Sequence, residues 1–233
     1  MRSSFARTLR PLGVAALVAV AALAPATAAD ATLKPFNADY VASYMGMEGL
    51  AKMSLAQANG QWKYTLSIKS SLASLSQSTT FEDKGGQWRP IAGTDNAAVL
   101  IKKVNKQAQY DWARGVATWT GDVKPDRAGP VKLQAGDLDA MLVNLAIARD
   151  VAAGKPLKYR MVDDGRAKDL TYTVAGKESI NIDGKARQAT KVTRTDGNKQ
   201  TLLWVVDGLP VPARILQRKD GADEMDLQLK AMR

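Results

Sequence analysis

Four carboxylates stand in arrangements that could do chemistry. Asp137 and Asp139 lie two residues apart at the start of an apolar stretch, and Asp163 and Asp164 are adjacent and followed by Gly165. Paired carboxylates can divide acid and base roles when their surroundings separate their pKa values. Carboxylate oxygens also suit a hard cation such as calcium. Each pair has a plainer reading. Two acids at a helix start cap its free N–H groups and complement its dipole. Asp-Asp-Gly between two strand patterns is a hairpin tip. The calcium-loop signature D-x-[DN]-x-[DN]-G-x5-E does not occur in the sequence.

The chain has 233 residues with no His and no Cys. That removes Ser-His-Asp and Cys-His catalysis and the usual zinc, copper and iron sites, which need imidazole or thiolate. Ser-x-x-Lys has no convincing helical setting, and no Gly-rich phosphate loop follows a strand. The sequence therefore predicts a non-enzymatic protein with no catalytic residue, no cofactor and no metal. Disulfides are impossible, so the fold must rest on its apolar core, which this length permits. Without His or Cys, little should titrate between about pH 6 and 7.5, and stability should be nearly flat there. The exception would be Asp137 or Asp139 buried in a sheet with its pKa pushed upward.

The carboxylates Asp137 and Asp139 open the one stretch that reads as a helix, about Leu138 to Ala152. Leu138, Met141, Leu142 and Leu145 form an i, i+3, i+4, i+7 stripe, widened by Val143, Ile147 and Val151. Asp137 is placed to cap it, and Gly154 and Pro156 stop it. Before and after it, the chain reads as strands. Trp62, Tyr64, Leu66 and Ile68 alternate with Lys63, Thr65, Ser67 and Lys69, a half-buried strand. Thr201–206 (TLLWVV) reads as a central strand. Asn59-Gly60, Asp183-Gly184, Asp196-Gly197 and Asp207-Gly208 mark tight turns of an antiparallel meander. Residues 70–78 read as a loop or strand bend, residues 99–112 as one long strand, residues 170–175 as another, and residues 122–136 as a crossover loop. Trp62 and Trp204 are expected in the core rather than as exposed stacking platforms.

Residues 1–28 are not fold. Arg2, Arg7 and Arg10 form a basic region, Leu12 to Ala24 an apolar one, and Ala26-Thr27-Ala28 a small-x-small cleavage pattern. The apolar run is short for a membrane span, which needs about 20 residues. A cleaved signal peptide is expected, leaving residues 29–233 as a single β-rich domain, periplasmic or secreted, with no membrane span. No Cys is available for lipoprotein acylation. Loss of three arginines takes Lys+Arg from 33 to 30 against 23 Asp+Glu, a formal charge of +7. These charges are scattered along strand patterns, as on a solvated surface. Nucleic acid is not an expected partner.

One string has a further likeness. Gly136-Asp137-Leu138-Asp139-Ala140-Met141-Leu142, then Gly154-Lys155-Pro156-Leu157, then Gly184, and above all residues 203–215 (LWVVDGLPVPARI) resemble a bacterial envelope family, domain of unknown function (DUF) 3108. The resemblance covers most of residues 36–230. It implies no activity and no catalytic residues. Its architecture is similar to periplasmic lipoprotein carriers, in which an open, curved antiparallel sheet holds a helix in its concave face. Physics points the same way, because a sheet of about ten or more strands must curl and its concave face needs a cover. The expected fold is mainly β, a large curved antiparallel sheet (open or half barrel) wrapping one central α-helix. If the helix only lids the concavity, Leu138, Met141, Leu142, Leu145, Trp62, Leu66 and Trp204 would line a cavity for a lipid or lipoprotein acyl chain. If it fills the concavity, the chain would be a structural or interaction protein of the envelope with a protein partner.

Overall fold

A computed structural model describes residues 33–44, 46–99 and 101–233. The expected signal peptide lies outside the described residues. The first half of the chain is a meander of eight strands: β1 (Phe36–Tyr44), β2 (Met47–Ala58), β3 (Gln61–Lys69), β4 (Ala73–Lys84), β5 (Gln87–Val99), β6 (Lys102–Asp111), β7 (Val116–Gly121) and β8 (Val131–Lys132). The helix α1 (Ala140–Ala152) follows, then a hairpin of β9 (Lys158–Asp163) and β10 (Arg166–Thr171). The chain ends in β11 (Thr173–Ile182), β12 (Lys185–Asp196), β13 (Lys199–Val206), β14 (Arg214–Lys219) and β15 (Ala222–Met232). Thirteen of these strands form one sheet in the order β11-β12-β13-β14-β15-β1-β2-β3-β4-β5-β6-β7-β8, which does not close, and β9 and β10 form a second.

The fold is thus mainly β around one helix, as the sequence predicts. The first and last strands pair in the middle of the sheet, Ala42 opposite Leu227 and Tyr40 opposite Leu229. Residues paired across a ladder share a face. The rows Leu55–Tyr64–Thr79 and Ala38–Met53–Leu66–Gln77 therefore line the same face. Leu227–Ile215–Leu203–Val192 continues it in the other half. The helix packs on that face against β4 from one half and β13 from the other, with β9 beside it, so the sheet curves around it. Its buried residues are Leu142, Val143, Leu145, Ala146, Ile147, Ala148 and Asp150.

Several boundaries differ from the sequence reading. Asp139, not Asp137, is the helix cap: its Oδ1 accepts the Leu142 N–H at 2.8 Å. The helix starts at Ala140, and Leu138 instead bridges to Met161 of β9. Asp137 is fully buried and accepts hydrogen bonds from the Gln134 N–H at 2.7 Å and from Arg160 Nη1. It therefore anchors the crossover loop to β9. Residues 73–78 belong to β4 rather than to a loop. The stretch read as one strand over 99–112 is broken by a hairpin tip between Val99 and Lys102. The run Val99-Leu100-Ile101 has no Gly, Pro, Asn or Asp to announce a turn. The stretch read as one strand over 170–175 is divided between β10 and β11 at Tyr172. The crossover loop carries a 3-10 turn at Pro125–Arg127 and the short strand β8.

Candidate functional site

The register places the helix lengthwise in the trough. β4 descends from Ala73 at one end of the sheet to Lys84 at the other, with Thr79 midway. Thr79 donates its hydroxyl to Asp139 Oδ2 at the helix start. At the other end of the helix, Arg149 Nη1 donates to the Gly86 carbonyl at 3.0 Å and the guanidinium lies 4.3 Å from the Trp88 ring centroid. Arg149 also grips Asp150 through Nε at 2.8 Å, and Tyr159 donates its hydroxyl to the same carboxylate at 3.0 Å. The helix therefore fills the lower half of the concavity and stops at mid-height.

Above its N-terminus is a cavity of about 360 Å³. One wall is mostly apolar, formed by Met53, Leu66, Ile68, Leu75, Ile215 and Leu227 with Met141 of the helix, and interrupted by Gln77 and Gln217. The opposite corner is polar and holds Asp139, Asp163, Thr79, Tyr110 and Trp119. Tyr110 donates to the Val162 carbonyl at 3.0 Å and meets Trp119 edge to face at 6.0 Å. The Trp119 indole N–H is buried and has no acceptor among the described residues. At the mouth, Lys106 Nζ and Asp164 Oδ1 are 3.2 Å apart. The β9–β10 tip that carries Asp163 and Asp164 is locked in place by Gly165. This residue has φ +68°, and a Cβ there would stand 2.2 Å from the Arg127 carbonyl oxygen.

Loss of hydration pushes the Asp139 carboxyl up to about 6, although Thr79 and the Leu142 N–H favour its charged form. Asp163 is raised to about 7, first by burial and then by the charge of Asp139. Asp163 keeps part of its surface in water, whereas Asp139 is buried. Two carboxyls raised into this range run against the flat pH profile expected from a chain without His or Cys. Asp139 is the buried carboxylate foreseen as the exception, Asp137 is instead paired with Arg160, and Asp163 was not foreseen. The sequence marks Asp163 only as half of an Asp-Asp-Gly turn: its burial and its nearness to Asp139 come from the fold.

The residues proposed from sequence to line a cavity are dispersed. Leu66 and Met141 face it. Leu142 and Leu145 lie in the packed core under the helix, and Leu138 is buried at the β9 bridge. Trp62 is 8% exposed on the concave face opposite Phe81, and Trp204 is 4% exposed on the other face. Trp204 donates its indole N–H to Glu178 Oε2 at 2.7 Å, with Arg214 4.7 Å and Lys191 5.2 Å from its ring centroid. Both tryptophans are therefore core residues.

The sequence matches the model of a family described as "Protein of unknown function (DUF3108)" over residues 36–228. No curated protein matches the chain. Among the solved structures that are similar at low identity are two of one kind. One is MucB, at 8% identity and TM-score 0.32, covering 85% of this chain and 52% of MucB. The other is a chain of the Pseudomonas aeruginosa MucA/MucB complex, at 10% identity and TM-score 0.35, covering 85% of this chain and 51% of that one. The chain spans about half the length of these solved chains.

Proposed function

We propose a function from one premise: the chain belongs to the DUF3108 family, a family of unknown function. It acts as a non-catalytic binding or chaperone-like module of the bacterial envelope for a hydrophobic ligand, a lipid or a lipoprotein-like acyl chain. The observation that carries this reading is the cavity left above the helix. At about 360 Å³ it lies at the lower end of the roughly 300–1,000 Å³ typical of small-molecule sites, enough for one chain but not several. Its apolar wall suits a tail. Asp139 and Asp163 suit a hydroxyl, amide or amine at the head. The basic, apolar and small-x-small order of residues 1–28 supports export to the periplasm. No helix among the described residues is long and apolar enough to cross a membrane.

Native mass spectrometry with lipid extraction, on protein purified from its own envelope, tests the reading. A retained lipid-sized mass is expected. Delipidated protein should take up a fluorescent long-chain fatty amide, and Leu66→Trp should reduce that uptake at least tenfold with folding retained. Ligand-free protein that also refuses the probe would favour the second reading, a structural or interaction protein of the envelope. That alternative rests on Leu142, Val143, Leu145 and Ile147 filling the lower half of the trough.

A further inference from the structure

The sheet has two ends of opposite character. The tips β2–β3, β4–β5 and β6–β7 point one way and carry Asn59-Gly60, Gly85-Gly86 and Ala113-Arg114-Gly115. The tips β1–β2, β3–β4 and β5–β6 point the other way, toward the end where the cavity lies beyond the helix N-terminus. Among the described residues, the exposed large apolar side chains are Tyr44, Met47, Leu50, Leu72, Val99, Ile101 and Val174. All but Val174 sit at this second end. Ile101 is 99% exposed and Leu50 71%. Successive tips on one side of a meander are two strands apart, about 10 Å, so the six side chains form a continuous rim.

The charges on these tips are predominantly positive. Lys69, Lys102 and Lys103 are exposed, with no carboxylate partner among the described residues, and Glu48 is the single acid. Leu50 and Lys69 are paired on one ladder row. The tips in the other half of the sheet differ: Arg194 pairs with Asp196, Arg218 with Asp223, and Asn198 donates to Asp220. Exposed apolar groups interleaved with unpaired lysines are the composition of a surface that sits in a lipid interface and is drawn to anionic headgroups.

We propose that the β1–β2, β3–β4 and β5–β6 tips form a docking rim for an anionic lipid bilayer, with Leu72 and Ile101 inserting shallowly and Lys69, Lys102 and Lys103 on headgroup phosphates. The rim presents the cavity end of the sheet to the membrane. It is independent of the ligand reading: docking can occur whether or not the cavity holds a lipid.

Vesicle co-sedimentation of the purified protein tests this, using phosphatidylethanolamine with phosphatidylglycerol, and phosphatidylcholine alone as the neutral control. Binding is expected to the anionic vesicles, at least tenfold weaker to the neutral ones and weakened by salt. Leu72→Asp with Ile101→Asp should lower it at least tenfold, and Lys102→Glu with Lys103→Glu several-fold, both with unchanged melting temperature, because these side chains stand in solvent. Absence of binding to anionic vesicles would overturn the proposal, as would equal binding by the Leu72→Asp, Ile101→Asp protein. A wild-type dimer that those substitutions split, with no vesicle binding, would assign the rim to a second copy of the chain instead.

Discussion

Asp139 joins the helix to the sheet: one oxygen holds the Leu142 N–H and the other the Thr79 hydroxyl. The sequence made Asp139 legible as an acid at a helix start, but its burial depends on β4, sixty residues earlier in the chain. Leu142 was legible without that knowledge, because the apolar stripe alone sends it inward. Replacing Leu142 by Asp puts a charge without a partner into the core and is expected to cost several kcal/mol, on the order of 3 or more, in urea denaturation. A loss below about 1 kcal/mol would mean that this face is solvated. Gly165 was legible only as a turn residue. Its contact with Arg127 makes Gly165→Ala a test of the β9–β10 tip: strain at φ +68° and the clash with the carbonyl should lower stability by roughly 1–3 kcal/mol. Trp204 is boxed by Glu178, Lys191 and Arg214. A variant keeping only that tryptophan should therefore resist acrylamide, and quenching equal to free tryptophan would contradict its burial.

Strands announced by alternation and closed by Asn-Gly or Asp-Gly were found within a few residues of their ends, because left-handed turn positions restrict residue type. Asn59, Asp183 and Asp220 do have positive φ, each followed by Gly. The break between β5 and β6 escapes the sequence reading for the converse reason: an apolar turn looks like strand. That miss hid the rim, since reading residues 99–112 as one strand leaves no tip for Ile101 to occupy. The helix was legible in type but not in attachment. Its C-terminal end is tied down by Arg149, which stacks on Trp88, donates to the Gly86 carbonyl and neutralises the buried Asp150. Arg149→Ala should destabilise by about 2–4 kcal/mol, since it leaves Asp150 with the Tyr159 hydroxyl against its charge. Arg149→Lys should recover only part, because an ammonium cannot bridge Asp150 and the carbonyl with one planar fork. Equal stability of the Lys variant and wild type would show that charge alone suffices.

At the scale of the whole molecule, the seam between β1 and β15 makes the two halves one body, and the helix pinned between β4 and β13 sets how far the trough opens. Folding stability is therefore the quantity in which the cavity carboxylates report. An unfolded Asp titrates near 3.9, whereas Asp139 in the folded chain titrates near 6. Between those values the folded state holds more protons than the unfolded one, so stability falls as pH rises. The contribution of protonated Asp139 is fully present below about pH 4 and is lost as pH rises through about 6. The slope approaches at most about 1.4 kcal/mol per pH unit for one proton, and the total is on the order of 3 kcal/mol. Asp163, raised to about 7 by burial and then by the charge of Asp139, extends the decline toward neutrality. Chemical denaturation at several pH values from about 4 to 7.5 measures this. Asp139→Asn separates the cause: Asn still caps the helix and mimics the neutral acid, so the decline between about pH 4 and 6 should largely disappear while stability at pH 7 rises. An unchanged decline in that variant would move the titration to another group, and a flat wild-type profile would mean that water reaches Asp139 in solution. Because the titrating pair lines the cavity, a bound head group that pairs with the ionised carboxylates should lower their pKa values and flatten the same curve, so repeating the measurement with the fatty-amide probe and with an aliphatic amine distinguishes the head group the corner accepts.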